Sequence, residues 1–239
     1  MKSIWIIAKR ELKVFFDSLI AYVMLVLFLG FSGFFTWLYG NDIFLIGQAS
    51  LRTFFAVASW TLFFFIPAIT MKMIAEEKNA GTLELVLTKS ISDRQLVYGK
   101  FLASVLLVSI ALVATLPYII TLSSIGNLDN GGTICGYLSL ILMTCAYSAI
   151  GIYSSRITNN QIVAFMTALF ISLFFHIIFD VLAINFTGFL GQIFDSLSLQ
   201  SHYDSISRGV VDSKDLVYFI SLTILGLFLA ETSLSNRHK

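Results

Sequence analysis

Six long apolar runs alternate with polar breaks along the chain. An α-helix rises about 1.5 Å per residue, so a helix that crosses a hydrocarbon core about 30 Å thick needs about 20 apolar residues. The runs that reach or approach this length are Leu19–Tyr39, Phe54–Met71, Phe101–Ile125, Ile134–Ser154, Ile162–Leu182 and Leu216–Ala230. The pattern therefore predicts six transmembrane helices.

The composition agrees with a membrane location. Hydrophobic residues make up 57% of the 239 residues and charged residues only 12%, whereas an ordinary soluble domain carries about 25% charged residues. A soluble fold would have too little polar surface to cover so much apolar side chain. We expect an all-α integral membrane protein in which residues 1–239 form a single membrane domain. The net charge of +1 gives no indication of a nucleic-acid partner.

Lys and Arg are distributed unevenly between the two sets of breaks, and such residues concentrate in cytoplasmic loops. With the N-terminus inside, the three outer residues are Arg52, Arg208 and Lys214, and the twelve inner ones are Lys2, Lys9, Arg10, Lys13, Lys72, Lys78, Lys89, Arg94, Lys100, Arg156, Arg237 and Lys239. We therefore expect both termini in the cytoplasm.

Residues 1–16 have the pattern of an amphipathic helix. At 100° per residue, Lys9, Arg10 and Lys13 fall on one side, while apolar residues fill most of the rest and Glu11 is out of place among them. This pattern predicts a helix that lies in the inner membrane interface with its basic face toward the headgroups. A simple positively charged anchor is the alternative.

The long break at residues 72–100 contains two helix signals. Leu83, Val86, Leu87 and Ser90 recur at helical spacing and predict a short cytoplasmic helix. Ser92 and Gln95 then form a capping box, which predicts a helix that begins at Asp93 and continues into the third span. Such a rod would suit the transmission of movement from a cytoplasmic partner, although an ordinary well-capped loop has the same spacing.

Residues 183–215, before the last span, carry one apolar helical stripe. Its members, at offsets 0, 3, 4, 7, 8 and 11, are Phe186, Phe189, Leu190, Ile193, Phe194 and Leu197. The stripe favours a re-entrant or interfacial helix on the outer side. An amphipathic helix that rests on the membrane surface is the alternative.

A few polar residues and prolines stand out within the apolar runs. His176 and Asp180 lie one turn apart in the fifth span, and ionisable groups in a membrane indicate function by default. They are candidates for a pathway or gate, or for a hydrogen-bonded pair at a subunit interface. Pro67 and Pro117 are candidate hinges or packing kinks. His202 and Asp204 could form a second polar cluster, but two such residues do not make a metal site, and we predict none.

The sequence EEKNAGTLELVLTKSISDRQLVYGK at Glu76–Lys100 resembles the signature loop of the type-2 ABC exporter permease family, and KRELKVFFDSLIAYV at Lys9–Val23 is similar to its entry helix and first span. The resemblance implies that residues 72–100 form the coupling region that docks on an ATPase. The candidate docking residues are Glu76, Glu77, Gly81, Thr82, Leu83, Glu84 and Leu87. It also implies that the outer segment, with Phe189 and Phe194, forms a gate.

Ser18–Val23 and Ser201–Val210 look closest to the bacterial gliding-motility-associated permease subunit. This likeness implies a bacterial cytoplasmic membrane, a second permease subunit in a homodimer or heterodimer, and a partner dimer of ABC ATPase subunits that binds ATP and Mg²⁺. The chain itself contains no G-x-x-x-x-G-K-[ST] motif. We therefore expect a transporter subunit with no ATPase activity of its own and no cofactor in this chain.

Two other functions compete with a permease. An intramembrane protease with an EExxxR motif is disfavoured, because Gly81 occupies the arginine position and the predicted topology puts Glu76 and His176 on opposite faces. A pore or scaffold remains an alternative, although rings of charge or a filter loop, typical of channels, are not evident.

Overall fold

The computed structural model describes residues 2–38, 50–82 and 92–235, and the regular elements in these ranges are helices. A single π-helical turn lies at Phe174–Ile178. The α-helices are α1 Lys2–Asp17, α2 Ile20–Trp37, α3 Arg52–Thr70, α4 Ala75–Asn79, α5 Asp93–Val113, α6 Leu116–Ile125, α7 Asn130–Ile157, α8 Gln161–Leu173, α9 Phe179–Asn185, α10 Phe189–Leu197, α11 Leu199–Ser207 and α12 Ser213–Ser235.

Among the described residues, six helical stretches are long and apolar enough to cross a membrane, and each overlaps one of the six predicted runs. They are Ile20–Trp37, Arg52–Asn79, Asp93–Ile125, Asn130–Ile157, Gln161–Asn185 and Ser213–Ser235. The prediction of an all-helical protein with six spans is confirmed. Tyr39, the predicted end of the first span, lies outside the described residues.

Helix α7 is the central element of the bundle. In its most apolar window 61% of the residues are buried, and α3, α5, α8, α11 and α12 all pack against it. Small residues bring the helices close: a Cβ added at Gly151 would lie 2.0 Å from Thr70 Oγ1, and one at Gly226 would lie 2.9 Å from the Ala149 Cβ. Close approach at small residues is how helices associate in lipid, where water does not drive them together.

Both prolines lie at helix breaks. Pro67 is in the last turn of α3, and the following turn at residues 71–74 leads into α4. Pro117 lies in the first turn of α6, where its missing N–H breaks no helical hydrogen bond. The structure thus places both candidates beside interruptions of regular helix, and their role as hinges stays a prediction.

A serine on α7 holds the break between α3 and α4. Ser155 Oγ accepts hydrogen bonds from the backbone N–H groups of Ile74 and Ala75, each at 3.0 Å, and donates to the carbonyl of Met71 at 3.0 Å. Because one hydroxyl satisfies three backbone groups, α4 is attached to the central helix.

The bundle has two ends, which we name by the helices they carry. The α1 end contains α1, α4 and the start of α5, as the ion pair between Arg10 and Glu77 shows. The α11 end contains α10, α11 and the start of α3, since the Tyr203 hydroxyl donates to the carbonyl of Phe55 at 2.8 Å.

Candidate functional site

Helix α1 packs along the start of α5. Its buried face consists of Ile7, Ala8, Glu11 and Phe15, while the basic residues Lys9 and Lys13 are exposed. Gly99 on α5 makes the approach possible, because a Cβ there would lie 2.6 Å from Ile7 Cγ2 and 3.2 Å from the Ile4 carbonyl oxygen. The predicted interfacial helix is therefore also a packed part of the bundle.

We expect Gly99→Ala to destabilise this contact. The added methyl group would overpack the junction of α1 and α5, at a cost of about 1–3 kcal/mol in the free energy of unfolding. Thermal unfolding of the protein in mild detergent measures the effect. Gly30→Ala is the matched control, because a Cβ at that helical glycine meets nothing within 4 Å. Equal unfolding midpoints for the two variants would contradict the role of Gly99.

Four charged residues, with Lys100 buried at their centre, form a cluster where α1, α4 and α5 meet, and we call it the Lys100 cluster. Lys100 Nζ lies 2.9 Å from Glu77 Oε1 and 3.3 Å from Glu11 Oε1. Arg10 contacts both carboxylates as well, with its Nη2 atom 3.2 Å from Glu77 Oε1. The cluster joins residues that are 67 and 89 positions apart in the sequence.

The central cation of the Lys100 cluster is buried, so the contacts of the cluster matter for stability. The Lys100 side chain is only 1% exposed, so its charge depends on the two carboxylates for compensation. Partial burial disfavours the charged form of Arg10, but the hydrogen bonds and charges of Glu11 and Glu77 outweigh this effect and raise the pKa of Arg10. The cluster also explains why Glu11 interrupts the apolar face of α1.

The structure places the predicted docking residues in different settings. Glu77 is turned into the Lys100 cluster, and its Oε2 atom is buried without a hydrogen-bond partner among the described residues. Glu76, Gly81 and Thr82 are exposed. The remaining predicted docking residues, and the predicted short helix that contains them, lie outside the described residues: Leu83, Glu84 and Leu87.

Gly81 terminates α4 with a left-handed backbone. Its φ is +67°, and a Cβ added there would meet nothing within 4 Å, so conformation rather than packing favours glycine. The backbone N–H of Thr82 donates to the Glu77 carbonyl at 3.0 Å and closes the turn. Glu76 therefore stands on a short, fixed helix at the surface of the α1 end.

At the α11 end, residues 186–207 of the predicted outer segment form two helices with different environments. The predicted apolar stripe is largely exposed on α10, with Phe189 76% exposed, although Phe194 stacks on Phe179 with ring centroids 6.4 Å apart. Helix α11, which the stripe did not reach, is the buried one and packs against α7. Its buried residues are Leu199, His202, Tyr203 and Ile206.

His202 pairs with Asp215 rather than with Asp204, so the suggested cluster has a different partner. His202 Nδ1 lies 2.6 Å from Asp215 Oδ1, and Nε2 lies 3.2 Å from the Ser196 carbonyl oxygen. The imidazole ring stacks on Tyr218 with centroids 4.2 Å apart. This arrangement fastens the junction of α10 and α11 to the first turn of α12.

His176 and Asp180 do not pair with each other. His176 is 1% exposed and stacks on Phe63, and neither ring nitrogen has a hydrogen-bond partner in the part of the chain that the structure describes. Asp180 instead accepts a weak hydrogen bond of 3.5 Å from the Ser201 hydroxyl on α11. His176 lies in the π-helical turn, a feature that is frequent at functional sites.

Sequence reasoning missed the role of Lys100, Ser155, Tyr203 and Asp215. Each acts on a partner 13 to 148 residues away. No periodic pattern records such pairs. Glu11 was the one feature of the sequence that pointed to such a pair. It is a carboxylate on an apolar helix face, and a carboxylate there needs a cation from another part of the chain.

The fold and these sites define a multi-pass helical membrane protein with a charged junction at the α1 end and two short helices, one exposed and one buried, at the α11 end. The sequence matches the family described as ABC-2 family transporter protein over residues 5–235. Because the match covers nearly the whole chain, the protein belongs to this family of ABC transporter membrane subunits, whose members normally work with an ATPase partner. A search of curated proteins finds no significant match.

Proposed function

We propose that the chain is the permease subunit of an ABC exporter and that a separate ATPase docks on its α1 end. The Lys100 cluster carries the proposal, because it ties α1, α4 and α5 into one unit beside the exposed Glu76. A unit of this kind can pass a displacement at the surface to a membrane-spanning helix.

The charge distribution supports a cytoplasmic location for the α1 end. The Lys and Arg residues of α1, the described Lys and Arg residues between 72 and 100, and Arg156 belong to this end, which agrees with the preference of positive residues for the cytoplasm. In this orientation both termini are cytoplasmic, and the membrane is the bacterial cytoplasmic membrane.

The proposed transmission has two routes from α4. One route runs through Glu77 and Lys100 to α5, which Ser92 and Gln95 cap with a complete capping box and which continues without a break to Val113. The other runs through Ser155 to the central helix α7. ATP and Mg²⁺ would act in the partner ATPase, and closure of that partner would press on α4.

The rest of the pathway follows from the same proposal. Two permease subunits, identical or different, would enclose the transport route. The α11 end would hold its outer gate, near Phe189, Phe194, His176 and Asp180. The likeness of Ser18–Val23 and Ser201–Val210 to a gliding-motility permease supports a role in that process.

The test is copurification of a P-loop ATPase with the tagged chain from its native membrane in mild detergent. We expect Glu76→Lys and Gly81→Val to reduce capture of the ATPase about tenfold or more, because the first reverses an exposed charge and the second disfavours the left-handed turn. Asp17→Lys is the matched control, since Asp17 is an exposed acid at the same end but on α1.

Two results would contradict the proposal. One is the absence of any ATPase with the folded wild-type chain, which would favour a pore or scaffold. The other is equal capture by wild type, Glu76→Lys and Gly81→Val, which would move the docking surface away from α4.

A further inference from the structure

The α11 end contains a polar cleft between the start of α3 and the end of α11. Its outer chamber, about 540 Å³, lies against Asp129 and Thr133, and its inner chamber, about 340 Å³, extends to Trp60. Arg52 and Arg208 line both chambers. Two of the three cationic residues predicted for this side of the protein therefore converge on one cleft.

One acceptor beside the inner chamber lacks a donor. The amide nitrogen of Gln200 donates to Asp204 Oδ1 at 3.0 Å. Since a carboxylate only accepts, this bond fixes the amide orientation and leaves Gln200 Oε1 buried without a partner among the described residues. A buried acceptor of this kind is costly unless a donor reaches it. The Gln200 and Asp204 oxygens are suited to bind an ammonium group.

An apolar groove adjoins the cleft. Ala56 and Trp60 line both the inner chamber and this groove, whose volume is about 500 Å³. Its other walls are Phe31, Phe35, Val57, Thr61, Phe64 and Phe65. The Thr61 hydroxyl donates to the Val57 carbonyl at 2.7 Å, so it offers no free donor to the groove.

The combined length of the cleft and the groove matches one membrane leaflet. Arg52 and Phe64 are both on α3, and their separation of twelve positions corresponds to about 18 Å at 1.5 Å per residue. One leaflet contributes about half of a hydrocarbon core about 30 Å thick. Phe31, Trp60 and Phe64 are about half exposed, so an acyl chain can reach them from the side.

The geometry points to a binding site for a phospholipid whose headgroup carries both a phosphate and a primary amine. The phosphate lies between Arg52 and Arg208, the ammonium donates to Gln200 Oε1 and Asp204, and one acyl chain follows the groove past Trp60. The mixed charge of the cleft, with two arginines and the carboxylates of Asp129 and Asp204, matches a zwitterionic headgroup rather than an anionic one. The site belongs to this chain alone and requires no ATPase.

The test is native mass spectrometry of the delipidated chain in detergent, titrated separately with dioleoyl phosphatidylethanolamine and dioleoyl phosphatidylglycerol. We expect the first lipid to bind about tenfold more tightly, as one additional charged hydrogen bond would give. Arg52→Gln should weaken both lipids about tenfold. Gln200→Leu should weaken only phosphatidylethanolamine, to the level of phosphatidylglycerol.

Lys214→Gln is the matched control, because Lys214 is a cation at the same end that lines neither chamber. It should leave both affinities unchanged, and thermal unfolding without lipid should be the same for all variants. Equal affinity for the two lipids, or equal losses in Lys214→Gln and Arg52→Gln, would overturn the assignment. So would a dimer that covers Trp60 and excludes both lipids.

Discussion

Replacing Lys100 with methionine is expected to destabilise the protein by about 3–5 kcal/mol, because it leaves the carboxylates of Glu11 and Glu77 in a buried site without their shared cation. Arg10, which is half exposed, compensates only part of this charge. The unfolding midpoint in mild detergent should fall sharply. ATPase capture should fall with it, since α1, α4 and α5 would no longer form one unit.

Two further variants test whether the loss of stability comes from the buried contacts of Lys100: Lys13→Met and the double variant Lys100→Met with Glu77→Gln. Lys13 is exposed on the same helix, so its loss should change the midpoint little. Lys100→Met combined with Glu77→Gln removes one charge of each sign and should recover a large part of the lost stability. If the two substitutions add instead, Lys100 and Glu77 are not coupled, and the transmission route through α5 would be wrong.

The second large effect is expected from His202→Phe. Asp215 is fully buried, and this substitution removes the partner of its carboxylate at 2.6 Å while nearly keeping the shape of the ring. A buried polar group that loses its hydrogen-bond partner costs about 1–3 kcal/mol, and more when the group is charged. Thermal unfolding should show the loss, and limited proteolysis should cut more readily between α10 and α12.

The neighbouring Asp212 provides the control. Its carboxylate is half exposed and lies 3.8 Å from Lys214 Nζ, so Asp212→Asn should have little effect. His202→Phe combined with Asp215→Leu should be more stable than His202→Phe alone, since no unpaired charge remains. A double variant as unstable as the sum of both single losses would show that His202 and Asp215 are not coupled.

Buried charged contacts join separate helices at both ends of the bundle. At the α1 end, Lys100 joins helices from the first half of the chain around two carboxylates. At the α11 end, His202 bonds oxygen atoms of Ser196 and Asp215, both of which can act as acceptors. Because each buried charged group needs its partner, the joined helices at either end must move together or lose the contact.

The local features were predictable from sequence. The six spans followed from the length and hydrophobicity of the apolar runs, since crossing a bilayer is a property of each segment by itself. The start of α5 at Asp93 followed from Ser92 and Gln95, whose capping bonds reach only three residues along the chain. The amphipathic N-terminal helix was also found at nearly its observed bounds.

Patterns confined to one helix were less informative about packing. The apolar stripe of residues 186–197 predicted a helix, but α10 keeps most of that stripe exposed while the less apolar α11 is buried. The spacing of His176 and Asp180 suggested a pair, yet His176 packs on Phe63 of α3 and Asp180 turns to Ser201. In both cases a neighbouring helix decided the environment.

By itself, then, the sequence determined the class of the protein, the number of its spans and the capped entry into the third one, because these depend on segment length, composition and hydrogen bonds over a few residues. Only the tertiary structure decided the partners of Glu11, Lys100, His202 and Asp215. Their bonds join distant parts of the chain. A buried charged group needs a partner within about 3 Å, and the packing of the helices decides which residue that partner is.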